Sequence, residues 1–423
     1  MRSATLSNIK RVVSVFILRQ SHNNEAQVAL FRRCSEMPTF ASHWAGISGS
    51  LETEDVCPRA TAVRELGEET NLRELLGDYD HLLKSGLHVD IARDKSNGSF
   101  GGRLIRVYPF ALTLPPEHLS IQMRGTEHDK MKFLTVSDFL KMSDPMVPSL
   151  KTSFHHATAG MYLDLPQGIR DWEQDKVNGA AFLARKAVDL AAAHTERRET
   201  LEDELSTAQS IAILRPSMVP IVNVMNKFDL MMNEGNDIER VKNELLKSLT
   251  DEGKRCDELG YELLMDVKKI KASHTDFVVG TFSRSSTLKS ILLSLIESSE
   301  RVQVMCSQST PGDEGLLMAK DIPSASCLSD NDFQQQIMDG KIDIVIVGAD
   351  CVLSDGHGVV NKIGTAELAS VCKQGGVPIV SIADRWKMWD DDYCPPLEDI
   401  FELIPSELFD RVLVPSVEER MLA

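Results

Sequence analysis

Two periodicities divide this chain. In its first third the apolar positions fall in short β-branched runs at residues 11–18, 27–31 and 103–112, a pattern of sheet strands rather than helix. The first two runs predict a hairpin, and the third follows a turn-rich stretch at 96–102. Between them, residues 58–69 read as a helix. Pro58 falls near its start, where a missing N–H costs little, and Ala62, Val63 and Leu66 make an apolar side. Asn71 offers a left-handed stop. Residues 8–142 are therefore expected to form one folded part.

After Met142 the periodicity fades, and Pro145, Pro148 and Gly160 suggest a packed linker over residues 143–170. The chain then turns helical. An alanine-rich run at 179–198 continues at 200–213 and is broken by Arg215-Pro216-Ser217. Further amphipathic runs follow at 219–232 and 241–265. No heptad is sustained, so these predict a helical subdomain over 171–270 rather than a coiled coil. From residue 276 short Val- and Ile-rich runs at 276–282, 302–306, 342–348, 377–383 and 411–414 alternate with helical segments such as 286–299 and 364–374. That alternation predicts an α/β domain over 271–423, a parallel sheet with helices on both faces. Ligand sites on such sheets gather beyond the carboxyl ends of the strands.

The 423 residues are too many for one core and suit two or three domains. A formal net charge of −17 argues against an extended nucleic-acid or anionic-membrane surface. No apolar run approaches the roughly 20 residues of a membrane span. Lys10-Arg11 before an apolar run resembles a signal peptide, but no small-residue cleavage site follows, and the run is better read as the first strand. The eight cysteines are scattered, without a C-x-x-C pair. Free thiols in a reducing compartment, with cytoplasm as the default, are expected.

The densest chemistry lies in Arg64-Glu65-Leu66-Gly67-Glu68-Glu69. Glu65, Glu68 and Glu69 stand at i, i+3 and i+4 and share a helix face. The stretch reads either as a solvated acidic face or as a seat for a hard divalent cation. With Gly46, Gly49, Ser50 and Leu72 around it, it resembles the Nudix box: a glycine, a glutamate after five residues, then Arg-Glu-aliphatic-any-Glu-Glu-any-Gly-aliphatic. Arg64, Glu65, Leu66, Glu68, Glu69 and Leu72 match, whereas Ser50, Val56 and Asn71 stand at the two glycine positions and the outlying glutamate position. The resemblance implies an α/β/α sandwich in which Glu65, Glu68 and Glu69 hold Mg²⁺ or Mn²⁺, one of them also activating water, while Arg64 orients them. The implied reaction is hydrolysis of a nucleoside-diphosphate-linked substrate. Glu127, in the acidic turn before the last strand, reads equally as an assisting base and as a surface turn residue.

The second half carries Val347-Gly348-Ala349-Asp350 and, further on, Gly358-Val359-Val360-Asn361-Lys362-Ile363-Gly364-Thr365. Together with Asn178-Gly179-Ala180, Arg215-Pro216-Ser217 and Ser283-Arg284, these resemble the family that unites the regulatory subunits of translation initiation factor 2B with isomerases of 5-methylthioribose 1-phosphate and ribose 1,5-bisphosphate. The resemblance implies a helical subdomain followed by a Rossmann-like domain. It also implies a catalytic Asp350, a ligand pocket drawing on Arg215, Thr281, Ser283, Arg284, Asn361 and Lys362, and a homodimer formed through this domain. Asp350 also reads as a capping or turn aspartate. Thr281 stands where the isomerases carry a cysteine, and a hydroxyl is far too weak an acid to replace a tuned thiol. Gln308-Ser309-Thr310-Pro311 lacks the arginine of the isomerases' Glu-Thr-Arg-Pro. The expectation is a hydrolase fused to a domain that binds a sugar phosphate or nucleotide. The alternatives are a non-catalytic assembly protein and a divergent isomerase. Neither a nucleic acid nor a membrane is expected as partner, and the pair His155-His156, lacking nearby acidic or cysteine partners, is not read as a ligand set.

Overall fold

The computed structural model describes residues 9–21, 23–73, 80–91, 104–116, 120–175, 177–195, 205–270, 276–299, 301–354 and 356–415. The turn-rich stretch at 96–102 and the start of the helical run at 200–213 lie outside the described residues. The chain divides into two compact units, residues 1–167 with 195–216 and residues 168–194 with 217–423.

The first unit contains β1 (Ile9–Gln20), β2 (Ala26–Arg33), β3 (Trp44–Ala45), β4 (Ile47–Ser50), α1 (Pro58–Glu69), β5 (Leu83–Ser85), β6 (Val89–Ile91), β7 (Leu104–Thr113), β8 (His128–Thr135), α2 (Val136–Lys141) and α3 (Leu150–Ala157). The strands make one mixed sheet with the path β3-β2-β1-β7-β5, to which β4, β6 and β8 add by pairing β1, β7 and β2. β1 runs parallel to β7 and antiparallel to β2 and β4. Residues 15–18 of β1 are buried without alternation, as a strand covered on both faces must be. Phe16 and Leu18 join Phe139, Leu150 and Phe154 in one core, with Phe154 edge-on to Phe16 and to Phe139 at 5.4 and 5.1 Å. α1 packs on β1 and β4, with Ala62 and Leu66 fully buried. The result is the expected α/β/α sandwich. Residues 143–170, expected as a linker, hold α3, which packs on β7 and β1. The segment's prolines flank that helix and do not interrupt it.

Two helices follow, α4 (Gln167–Glu173) and α5 (Ala180–His194). The next, α6 (Thr207–Leu214), belongs to the first unit; there Leu214 and Ile213 close on the left-handed turn at Gly160. In the second unit α7 (Val219–Asn233) and α8 (Ile238–Ile270) pack with α5, burying Leu183, Ala187, Met225, Phe228 and Leu245.

The rest of the second unit is β9 (Phe277–Phe282), α9 (Ser286–Ser298), β10 (Val302–Ser307), α10 (Glu314–Asp321), β11 (Ser326–Leu328), α11 (Asp330–Met338), β12 (Ile344–Gly348), β13 (Cys351–Leu353), β14 (Gly358–Lys362), α12 (Thr365–Gly375), β15 (Ile379–Ile382), β16 (Met388–Trp389), β17 (Phe401–Pro405) and β18 (Arg411–Leu413). Six strands form a parallel sheet in the order β11-β10-β9-β12-β15-β18, the doubly wound arrangement with its chain reversal between β9 and β12. Alternate residues serve opposite faces. Phe277, Val279, Ile344 and Ile346 pack with Leu264 of α8 and with Leu288, Ile291 and Leu292 of α9. Val278, Phe282, Val345 and Val347 pack with Phe333 of α11 and with Leu368 and Ala369 of α12. A small sheet, β16-β13-β14-β17, was not expected from the sequence. It makes Asn361 and Lys362 strand residues.

Candidate functional site

In the first unit the site grows from α1. Cys57 precedes Pro58 in extended backbone, and the helix ends at Thr70. Asn71 supplies no left-handed turn. It exchanges hydrogen bonds with Gln122, whose N–H donates to Asn71 Oδ1 at 2.9 Å. That tie fixes the acidic end of α1 against the segment leading into β8.

Arg64 is the hub. Its guanidinium donates to Asp55 Oδ2 and to the Ser50 carbonyl, both at 3.0 Å, to Glu65 Oε1 at 2.7 Å and to Glu68 Oε2 at 3.4 Å. Asp55 also accepts from Thr61 Oγ1 at 2.9 Å and from the Glu52 N–H at 3.0 Å. The Arg64 bond, aided by these donors, pulls the Asp55 carboxyl down to about 2. Asp55 was not anticipated. Gly49 and Asp55 stand six positions apart, as Ser50 and Val56 do, so the glycine and the outlying acid of the pattern are both present one residue early. Val56 itself is exposed. Gly49 is needed for space: a Cβ there would lie 1.7 Å from Glu65 Oε1.

The three helix carboxylates have unlike surroundings. Glu65 is buried, and burial pushes its carboxyl up to about 7 against the pull of Arg64, with Glu69 and Glu68 adding to the rise. Glu69 is buried too, and burial raises its carboxyl against the His128 hydrogen bond. Its Oε2 lies 2.9 Å from His128 Nδ1, yet both carboxyl oxygens are buried without an aligned hydrogen-bond partner. The Glu68 side chain is 57 % exposed. Among the described residues, no group of three or more His, Cys, Asp or Glu side chains converges as a metal site. Like charges on one face repel, and Glu65 turns to Arg64 while Glu68 turns largely to solvent. The donor set is nonetheless of the kind a hard divalent cation would suit: Glu65 and Glu69 are buried one turn apart, burial raises both carboxyls, and neither Glu69 oxygen has a hydrogen-bond partner. His128 was also missed. The sequence drew attention to Glu127, which is exposed and whose carbonyl accepts from the Cys34 N–H at 2.8 Å.

The second unit gathers its polar groups at the β9–β12 reversal. Phe282 pairs with Val347, which carries Ser283 and Asp350 past the same sheet edge. Ser283, Ser309 and Asp313 all adopt left-handed backbone, with φ of 64, 67 and 55°, strain of the kind that clusters at ligand sites. The Ser283 N–H donates to Ser309 Oγ at 2.7 Å, and its hydroxyl donates to Glu314 Oε2 at 2.8 Å. Lys362 closes on the same Glu314 oxygen. Asn361 donates to Thr365 Oγ1 at 3.2 Å. Burial raises the Asp350 carboxyl against Lys387, with Glu314 and Glu398 adding to the rise. The Thr281 hydroxyl is fully buried without a partner. The cluster thus brings Ser283, Lys362 and Asp350 to one strand-end region. Arg284 instead forms a surface ion pair with Asp321 at 2.9 Å, and Arg215 ends α6 in the first unit. All eight cysteines are free; Cys351, beside Asp350, is buried with its thiol pushed up by burial, the reverse of an activated thiol.

A mixed sheet between helices with an Arg-Glu-x-x-Glu-Glu helix across it, followed by a doubly wound parallel sheet, defines a two-part protein of hydrolase and Rossmann-like classes. The family models agree. Residues 9–156 match the NUDIX domain, and residues 176–406 match the initiation factor 2 subunit family. The chain belongs to the initiation factor 2 subunit family and carries a Nudix hydrolase domain ahead of it. A translation initiation factor eIF-2B subunit 2-like protein of Pyrococcus horikoshii is 27 % identical over 224 residues, 52 % of this chain and 77 % of that protein. A ribose 1,5-bisphosphate isomerase of Methanocaldococcus jannaschii is 26 % identical over 238 residues, 55 % of this chain and 74 % of that protein. The crystal structure of a Pyrococcus horikoshii translation initiation factor eIF-2B aligns with a TM-score of 0.47 at 22 % identity, covering 59 % of this chain and 95 % of that one. Among the described residues no helix is long and apolar enough to cross a membrane.

Proposed function

We propose that the first unit hydrolyses a nucleoside-diphosphate-linked substrate with Mg²⁺ or Mn²⁺, and that the second unit binds a sugar phosphate or nucleotide. One observation carries the hydrolase reading: two carboxylates, Glu65 and Glu69, are buried a helical turn apart beside a clamped arginine, with both Glu69 oxygens lacking a hydrogen-bond partner. Such a pair is unfavourable for a fold on its own, since buried charge needs compensation. Glu65 and Glu69, with Glu68, would hold the ion. When bound, the ion neutralises diphosphate charge and lowers the pKa of water.

The chain's own residues do the rest. Asp55 and the Ser50 carbonyl hold Arg64 in one orientation, and Arg64 in turn holds Glu65. Gly49 leaves the gap that Glu65 occupies. Glu68, exposed and tied only weakly to Arg64, is the member of the trio best placed to take a proton from a solvent water. The test is incubation with a panel of nucleoside diphosphate derivatives and Mg²⁺. Phosphate-containing products that vanish in Glu68→Gln and Glu65→Gln support the reading; no turnover of any candidate by the intact protein opposes it.

For the second unit, Thr281 in place of a thiol favours binding without isomerisation, although a relative is named ribose 1,5-bisphosphate isomerase. Asp350 and Lys362 would contact the ligand, and a cytoplasmic homodimer formed through this unit is part of the proposal. Conversion of ribose 1,5-bisphosphate by the intact protein, abolished in Asp350→Asn, would restore the isomerase reading. Cleavage in one unit can release the sugar phosphate that the other recognises.

A further inference from the structure

Lys362 is a buried cation at the strand-end cluster of the second unit. It closes β14 with its side chain 5 % exposed, and the carboxylate it meets among the described residues is that of Glu314, the first residue of α10. The same oxygen, Oε2, accepts from the Ser283 hydroxyl at 2.8 Å. Donors from the ends of two strands, β9 and β14, thus converge on one anionic oxygen supplied by a third element. An ammonium taken out of water needs such an anion. Glu314 itself is not enclosed: its side chain is 35 % exposed. Its backbone is held. Asp330 accepts from the Ser309 and Thr310 N–H groups at 2.7 and 2.9 Å and from the Ser307 hydroxyl at 2.5 Å, and Gly315 runs so close to β10 that a Cβ would lie 1.7 Å from the Ser307 carbonyl oxygen. Freedom is left to the Glu314 side chain alone. Gly312, at a φ of 103° that suits glycine, keeps room beside the ammonium, since a Cβ there would lie 3.0 Å from Lys362 Nζ. An ammonium and a hydroxyl aimed at one anionic oxygen, beyond the ends of parallel strands, are the donors that a phosphate oxygen would use. In this chain a carboxylate already occupies them.

We propose that Glu314 is a resident anion in the ligand's phosphate seat: a phosphorylated ligand binds by displacing its carboxylate from Lys362 and Ser283, so Glu314 sets how tightly the second unit holds phosphate. The proposal rests on the sugar-phosphate reading of that unit. The exchange keeps the lysine paired before and after binding, and the ion pair given up is subtracted from the affinity.

The experiment is calorimetric titration of the full, metal-free chain with ribose 1,5-bisphosphate, beside thermal unfolding in chloride and in phosphate buffer. Glu314→Gln keeps the size of the side chain and removes its charge. It should bind about tenfold more tightly than wild type, the difference between a charge-assisted and a neutral hydrogen bond. It should also unfold at a lower temperature than wild type in chloride and regain most of that loss in phosphate, where the added anion again pairs the lysine. The double variant Glu314→Gln/Lys362→Met, without either charge, should show neither the tighter binding nor the recovery. If Glu314→Gln folds in neither buffer, phosphate does not replace the carboxylate and the assignment fails. Affinity in Glu314→Gln equal to or below that of wild type overturns it while leaving the sugar-phosphate reading standing, as does tighter binding that persists in the double variant. No binding by the wild-type protein and Glu314→Gln alike defeats both.

Discussion

At the scale of single residues, the acidic helix works through groups that do not belong to it. Gly49 gives the Glu65 carboxyl its space, since a Cβ would lie 1.7 Å from Oε1. Gly49→Ala should therefore leave the fold intact, the obstruction meeting the movable end of a side chain, but displace the carboxylate. Displacements near 1 Å cost on the order of 10²-fold in rate, and a fall of about that size in hydrolysis with an unchanged melting temperature is the expected result. Unaltered turnover would show that Glu65 does not need its present place. Arg64, Glu65, Glu68 and Glu69 were legible because the helical repeat alone puts them on one side. Asp55 was not. Counting places Val56 in the acid's position, and only the loop's path brings the Asp55 carboxyl to Arg64, at 3.0 Å. His128 was hidden for a different reason: its partner is 59 positions away in sequence (128 − 69), and no local pattern encodes that meeting.

At the scale of elements, the strands of the second unit were readable because burial on both faces leaves nearly unbroken Val and Ile runs. The small sheet was not readable: β13 and β16 are only three and two residues long, and the antiparallel pairing of β14 with β13 and β17 joins segments that no local pattern links. The helix α3 was obscured by flanking prolines, and its histidines report on its burial. Enclosure of His155 lowers its pKa from 6.5 to about 4, and His156, whose Nδ1 lies 2.9 Å from the Leu87 carbonyl, is lowered to about 4 as well, chiefly by burial. For a base with a depressed folded pKa, the unfolded chain binds more protons between the two values, so stability rises with pH there. The contribution is full above about 6.5 and is lost as pH falls towards 4. From His155 alone the loss by pH 5 comes to about 2 kcal/mol. Urea unfolding of the metal-free protein at pH 7 and 5 should show this decline, and His155→Phe should reduce it. An equal decline in the variant would place the acid sensitivity elsewhere.

At the scale of the whole molecule, the chain joins a Nudix hydrolase domain to an initiation factor 2 subunit domain, and each carries its own polar cluster. The two clusters should fail separately. Glu68→Gln is expected to abolish hydrolysis without changing sugar-phosphate binding, whereas Asp350→Asn should weaken that binding, read by calorimetry, and spare hydrolysis. Loss of both activities in either variant would mean that the clusters serve one reaction. The change of period near residue 276 made the second sheet visible in the sequence, but the assignment of α6 to the first unit depends on Ile213 and Leu214 meeting the turn at Gly160, a contact between distant segments that composition does not announce.

The central claim is that the acidic face of α1 takes up a divalent ion, and electron paramagnetic resonance of Mn²⁺ reads that most directly. Adding the wild-type protein to dilute Mn²⁺ should deplete the free-ion signal, with saturation near one ion or a few per chain, while the double variant Glu65→Gln/Glu69→Gln should leave it undiminished at the same concentrations. Equal depletion by both proteins, or none by either, contradicts the account.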